Sequence, residues 1–250
     1  MDKVNLSTKS GGFMFVFKRK NAIIVSVLII TILTFFLCFG AIAGKTVNST
    51  DGHGVKVVLD AGHGGIDNGV SGVNTGVKES ELNLMVVKKL KNYFEQAEIQ
   101  VVLTRGNQAG LYGVATKNRK KKDMQKRKEI IEQAKPTMVI SIHMNKYSES
   151  TRRGAQVFFK DGDTQGKSLA INIQNSLNLM EQSVRSCDAL KGDYYILNCS
   201  NYPSIIAECG FLSNPEDESL LISDEYQDAL AYALFKGAIG YLAENSFNYF

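Results

Sequence analysis

The sequence predicts an α/β protein in which a mostly parallel, twisted sheet is flanked by helices in a single layered domain. Short apolar, β-branched runs alternate with longer segments whose apolar residues recur every three to four positions. This is the pattern of strands followed by amphipathic helices. The 250 residues are 44% hydrophobic and 22% charged, which fits one globular domain and excludes a disordered chain.

The amino terminus carries a segment that is typical of membrane insertion. Three basic residues at positions 18–20 precede an uncharged apolar run over residues 22–43, and a bilayer core needs about 20 such residues. The basic residues lie on the amino-terminal side of the run. They therefore predict that residues 1–20 stay in the cytoplasm and that the chain beyond residue 44 is exported.

The remaining boundaries follow from this segment. Its length favours a transmembrane anchor at residues 21–44, while the small residues at 41 and 43 leave cleavage by a signal peptidase open. Residues 45–54 are polar and rich in turn formers, which indicates a linker. We expect one folded domain at residues 55–250, outside the cytoplasm and either membrane-anchored or secreted.

Strands and helices alternate through this domain. The strand at 56–60 is apolar and ends before Gly62, and the helix at 79–97 places Leu82, Val86 and Leu90 at four-residue intervals. The helix at 117–135 carries many charges and is expected to be largely solvated. The further predicted strands cover 99–103, 137–142, 155–159 and 204–207, and the further predicted helices cover 166–180 and 224–243, with another helix start at Asn214-Pro215.

Four chemically reactive side chains fall where an α/β sheet places its sites, at the carboxyl ends of strands. His63 and His143 follow apolar strands, Glu79 opens a helix, and Glu208 ends the strand SIIAE. Two imidazoles and one carboxylate are a ligand set of catalytic zinc, and a further carboxylate can act as the base. Taken singly, each has a structural alternative, such as a hydrogen-bonded loop histidine or a glutamate that favours a helix dipole.

Four sequence segments resemble one enzyme family. VVLDAGHGGIDNG, GVKESELNL, VISIHMN and IIAECGFLSNPED occur in this order over residues 57–217. Together they resemble the zinc-dependent N-acetylmuramoyl-L-alanine amidases of bacterial cell walls. The membrane-leading segment and the lack of a wall-binding repeat are similar to the germination-specific amidases that act on spore cortex.

The resemblance implies a set of roles. His63, Glu79 and His143 would hold one zinc ion, and Glu208 would be the catalytic carboxylate. The substrate would be peptidoglycan, cut at the amide between N-acetylmuramic acid and the L-alanine of the stem peptide. The sequence departs from the family pattern at Gly106 and Glu132, so the substrate groove is expected to differ in detail.

Other functions remain open from sequence. One is a different zinc-dependent hydrolase of wall material, a peptidase or a deacetylase, and another is a non-catalytic wall-binding protein on an amidase-like fold. The basic residues at 120–122 and 126–128 are expected to form a solvated helix face, and contact of this face with an anionic polymer of the envelope stays open. With a net charge of +4 we expect no nucleic-acid partner. The sequence gives no cue to a regulatory protein.

Cys209 adjoins Glu208 on a strand, so its thiol is expected to be buried on the opposite face.

Overall fold

The computed structural model describes residues 54–115 and 117–246. The predicted cytoplasmic segment, the membrane segment at 21–44 and all but the last residue of the predicted linker lie outside these residues. Among the described helices, none has both the length and the apolar character that a membrane crossing requires.

The described residues build a six-stranded sheet with the strand order β2-β1-β3-β6-β4-β5. The strands are β1 (Lys56–Ala61), β2 (Gln100–Leu103), β3 (Met138–Asn145), β4 (Gln156–Phe159), β5 (Leu190–Lys191) and β6 (Ser204–Phe211). The helices are α1 (Glu79–Gln96), α2 (Arg119–Ala134), α3 (Thr164–Asn178), α4 (Tyr195–Asn198), α5 (Pro215–Ile222) and α6 (Asp224–Ser246).

The sheet is mixed but mostly parallel, as the sequence predicts, and a single antiparallel pairing lies towards one edge. Strands β2, β1, β3 and β6 run parallel to one another, whereas β4 runs antiparallel to β6, and β5 runs parallel to β4. No helix lies between β3 and β4. Without a crossover element, the chain enters β4 from the edge where β3 ended and must run back.

Helices cover both faces of the sheet. On one face α1, α3 and α6 enclose the larger core, which includes Leu90, Phe94 and Leu234. On the other face α2 and α4 pack over a smaller apolar cluster that includes Val58 and Ile206. The second face is therefore only partly covered, and this leaves room for a cleft at the carboxyl ends of the strands.

Short sequence signals predict several of the observed helix and strand ends. The cap predicted at Asn214 is present, since its side chain accepts hydrogen bonds from the backbone N–H groups of Glu216 and Asp217. Cys209 is fully buried in the larger core, as its position beside Glu208 predicts. Strands β3 and β6 extend past their predicted ends, so that His143 lies inside β3 and not after it, and Glu208 lies inside β6 and not at its end.

Candidate metal centre

Three side chains that are distant along the chain meet at the carboxyl edge of the sheet. His63 lies in the loop after β1, His143 lies on the neighbouring strand β3, and Glu79 is the first residue of α1. Each offers one ligand atom, and these atoms all lie within 4.8 Å of one another. The structure thus brings together the three residues that the sequence predicts as metal ligands.

The carboxylate of Glu79 lies between the two imidazoles. Its Oε1 is 3.1 Å from Nε2 of His63 and 3.0 Å from Nδ1 of His143. The backbone N–H of Val70 donates to its Oε2 at 2.9 Å. Burial alone would raise the pKa of Glu79, but hydrogen bonds and charge from the two histidines lower it well below its usual range. The carboxyl group is therefore ionised, as a metal ligand must be.

The orientation of the His63 ring is set by Asp67, a residue that the sequence analysis did not single out. Nδ1 of His63 lies 2.9 Å from Oδ1 of Asp67, so the ring presents Nε2 to Glu79. Burial would lower the pKa of His63, but Glu79 and Asp67 together raise it. A carboxylate on the second ring nitrogen is the usual support of a metal-ligating histidine.

Two glycines let the ligands approach each other. A Cβ at Gly62 would lie 2.2 Å from the His143 ring. A Cβ at Gly69 would lie 2.3 Å from Oε2 of Glu79, and its φ of +67° also favours glycine. Any larger side chain at Gly62 would displace His143.

A buried ion-pair network supports the loop that carries His63. Asp60, on β1, forms an ion pair with Arg127 of α2 and accepts hydrogen bonds from Thr104 and Ser141, each at 2.6 Å. Burial alone would raise the pKa of Asp60, but the Arg127 charge and these hydrogen bonds lower it to about 2. Arg127 also donates to the backbone carbonyl of His63 at 2.7 Å.

A second arginine, Arg105, also holds the loop that carries His63. Arg105 donates to the carbonyls of Ala61 and Gly62, both at 2.8 Å, and to the carbonyl of Ser80 at 2.7 Å. These bonds tie the loop after β1 to the start of α1. They also restrain His63, whose φ of 62° is left-handed.

Glu208 lies beside the three candidate ligands but is not one of the side chains that could hold the metal ion. It pairs in register with His143 across β3 and β6, so both side chains lie on the same face of the sheet. Its Oε2 is buried and has no hydrogen-bond partner, and burial raises the pKa of this carboxyl group. A buried carboxylate oxygen without a partner is costly, and such groups mark functional positions.

A cleft of about 600 Å³ opens in front of the histidines. Its floor includes His63 and His143, one wall is formed by α2, and the other is formed by the residues around α4. The wall residues include Arg119, Lys120, Asp123, Met124, Asp193, Tyr194 and Tyr195. The cleft is large enough for part of a polymeric substrate and contains both apolar and polar groups.

The donor set and its surroundings fit a divalent cation. Two imidazole nitrogens and one carboxylate oxygen, supplied by three separate elements, are the donor set of a catalytic zinc site, in which water or substrate takes the fourth position. Among the described residues, the group able to hold a metal comprises only these three side chains.

Comparison with known proteins places the chain in a family. Residues 57–239 match the N-acetylmuramoyl-L-alanine amidase family (Amidase_3). The match spans well over half of the chain, and the chain therefore belongs to this family.

Several relatives are similar over most of their own length. The germination-specific N-acetylmuramoyl-L-alanine amidase of Bacillus subtilis (strain 168) is 31% identical over 195 residues, which cover 76% of this chain and 81% of that protein. The CwlD amidase from Clostridioides difficile, solved in complex with the GerS lipoprotein, is 34% identical with a TM-score of 0.73, covering 76% of this chain and 98% of that one. An N-acetylmuramoyl-L-alanine amidase from Clostridium difficile 630 is 29% identical with a TM-score of 0.69, covering 77% and 98%.

Proposed function

We propose that this protein hydrolyses the amide bond between N-acetylmuramic acid and the L-alanine of peptidoglycan stem peptides. The observation that carries the proposal is the convergence of His63, Glu79 and His143 beside the unpartnered carboxylate of Glu208. Family membership and the names of the relatives support the choice of bond.

His63, Glu79 and His143 would hold one zinc ion. When bound, zinc acts as a Lewis acid that polarises the scissile carbonyl and makes water more acidic. Asp67 keeps Nε2 of His63 directed at the site, while Arg127 and Arg105 fix the backbone that carries this ring. These supports hold the ligands in place before substrate arrives, which lowers the cost of reorganisation.

Glu208 is the general base and then the general acid in this proposal. Its register with His143 puts it next to the ligands on the cleft face, and its Oε2 has no competing hydrogen-bond partner. It can therefore take a proton from the attacking water and deliver it to the departing nitrogen of L-alanine. Proton transfer of this kind accelerates reactions by about 10²–10⁴-fold.

The place of action follows from the substrate. Peptidoglycan lies outside the cytoplasm, so we propose an enzyme of the cell envelope that is held or exported by the segment at residues 21–44. The similarity to a germination-specific amidase supports spore cortex as the wall that it processes.

Product analysis tests the proposed bond. Purified peptidoglycan is digested with the parent protein, with Glu208→Gln, and with Glu98→Gln as a matched change at an exposed glutamate. Mass spectrometry of the products is expected to show intact stem peptides with free L-alanine at their amino ends for the parent and the control. We expect Glu208→Gln to lose at least about 10²-fold in rate. Cleavage within the stem peptide, or release of acetate, would contradict the proposal.

A further inference from the structure

Asn83 places an amide group on the buried face of α1. Its side chain is fully buried, as are those of its apolar neighbours Leu82 and Val86 on the same helix. Asparagine is less favourable inside a helix than alanine or leucine, and an apolar side chain would suit this core better. A residue that opposes the local preferences of its own element is expected at functional sites.

The amide of Asn83 bridges two parts of the candidate metal centre. Its Nδ2 lies 3.1 Å from the carbonyl oxygen of Gly62 and 3.3 Å from Oε1 of Glu79. Both of these atoms are acceptors, so the amide nitrogen and not the amide oxygen must face them. Glu79 lies one turn earlier on α1, and Gly62 directly precedes His63. One side chain therefore connects the segments that carry two of the three candidate ligands.

The fold does not need Asn83 to satisfy either acceptor. The carbonyl of Gly62 also accepts a hydrogen bond from Arg105 at 2.8 Å, and Oε1 of Glu79 also accepts one from the backbone N–H of Met144 at 3.2 Å. Among the described residues, no group donates to the buried Oδ1 of Asn83, and an unpaired buried acceptor lowers stability. The contacts of Asn83 therefore add little to the stability of the fold.

These contacts instead restrain the carboxylate that would bind the metal ion. Oε1 of Glu79 is the oxygen that lies between the rings of His63 and His143, and it is the oxygen that Asn83 contacts. The backbone N–H of Val70 holds the other oxygen, Oε2. Partners of this kind orient metal ligands, and their loss typically lowers metal affinity by about 10–100-fold.

Resting on the proposed function, which requires a metal ion held by His63, Glu79 and His143, we propose that Asn83 is a positioning residue of this centre. It fixes Oε1 of Glu79 relative to the loop that carries His63. Asn83 is fully buried and is not among the residues that line the cleft. Its effect is therefore on the binding of the metal ion and not on contacts with the substrate.

Zinc affinity tests this role without any substrate. The full-length parent, Asn83→Ala, Asn83→Leu and the control Asn92→Ala are titrated with zinc in competition with a chromophoric chelator at pH 7. Asn92 is exposed on the same helix, so its variant should match the parent. We expect the Kd for zinc to rise about 10–100-fold in both Asn83 variants. Asn83→Leu keeps a side chain of similar size, so a cavity cannot account for its loss.

Urea unfolding of the metal-free proteins separates positioning from a structural role. We expect the urea midpoint of Asn83→Leu to equal or exceed that of the parent, because leucine favours the helix and removes the unpaired oxygen. A lower midpoint with an unchanged Kd for zinc would instead show a structural role and overturn the proposal. Loss of the folded circular dichroism spectrum in both Asn83 variants would overturn it as well.

The remaining outcomes separate this inference from the proposed function. A Kd within about twofold of the parent in both Asn83 variants, or an equal rise in Asn92→Ala, would overturn the role of Asn83 even if the parent releases stem peptides from peptidoglycan. If zinc binding depends on Asn83 but the parent releases no such peptide, the positioning role stands and the proposed function fails. A parent that binds no zinc would overturn both.

Discussion

Replacing Asp60 by Asn should destabilise the protein because it removes a buried negative charge. The substitution hardly changes the shape of the side chain, so the loss can be assigned to the charge. The substitution keeps the size of a side chain that is almost fully buried and surrounded by Arg127, Thr104 and Ser141. It removes the negative charge that compensates a buried guanidinium. Arg127 keeps its second partner, Asp123, at 2.7 Å, so the cost should lie below the about 3–5 kcal/mol of a fully broken buried pair.

The magnitude follows from the pKa of Asp60. Folding lowers this pKa from an ordinary value of 3.8 to about 2, and each unit corresponds to about 1.4 kcal/mol. The ionised carboxylate therefore contributes about 2 kcal/mol to the free energy of unfolding. Because the folded pKa is the lower one, this contribution is complete above about pH 4 and declines as the pH falls towards about 2.

Urea unfolding of the parent, Asp60→Asn and the control Asp188→Asn at pH 7, 4 and 3 measures this effect. A chelator keeps all three proteins metal-free, so that ligand protonation does not enter the comparison. Asp188 is exposed, and its variant should match the parent. We expect Asp60→Asn to lose about 2 kcal/mol at pH 7 and a smaller amount at pH 3. A loss below about 0.5 kcal/mol at pH 7, or a difference that does not narrow in acid, would refute this reasoning.

Two further predictions concern packing around the site and the thiols. Gly62→Ala should reduce activity by about 10²-fold because the new Cβ displaces the His143 ring. The control Gly106→Ala has open space around the new Cβ and should retain the parent rate. Equal rates for the two variants would contradict this prediction. Among the described cysteines, Cys187 should react first with a thiol reagent in the native protein. Cys199 and Cys209 are buried, and burial raises the pKa of both thiols. Rapid labelling of Cys199 or Cys209 without denaturant would contradict this prediction.

The fold was largely predictable because the strands that position the site carry strong local signals. The runs around Val58 and Ile140 are apolar and β-branched, and His63 and His143 follow them at the edge where parallel strands end. The helix that begins at Glu79 has a regular apolar face. Each of these signals is contained in fewer than 20 residues, so no tertiary information is needed to recognise it.

The parts that were not predicted depend on contacts between distant segments. Strand β5 has two residues and α4 has four, which is too short for a periodic pattern. Strands β3 and β6 continue past their apolar runs because they pair with each other through His143 and Glu208. The sequence also predicted that Arg127 lies on the solvated face of α2, whereas it is buried. Arg127 lies between two lysines in the sequence, and only the tertiary contact with Asp60 distinguishes it from them.

The most direct test of the central claim is the metal content of single-site variants. Protein purified with zinc is analysed for bound metal by mass spectrometry as the parent, as His63→Ala, Glu79→Ala and His143→Ala, and as Glu208→Gln. We expect about one ion per chain in the parent and in Glu208→Gln, and a large loss in each of the other three. Activity should disappear with a chelator and return with zinc. Full metal content in any of the three alanine variants, or undiminished amidase activity in metal-free parent protein, would contradict the account.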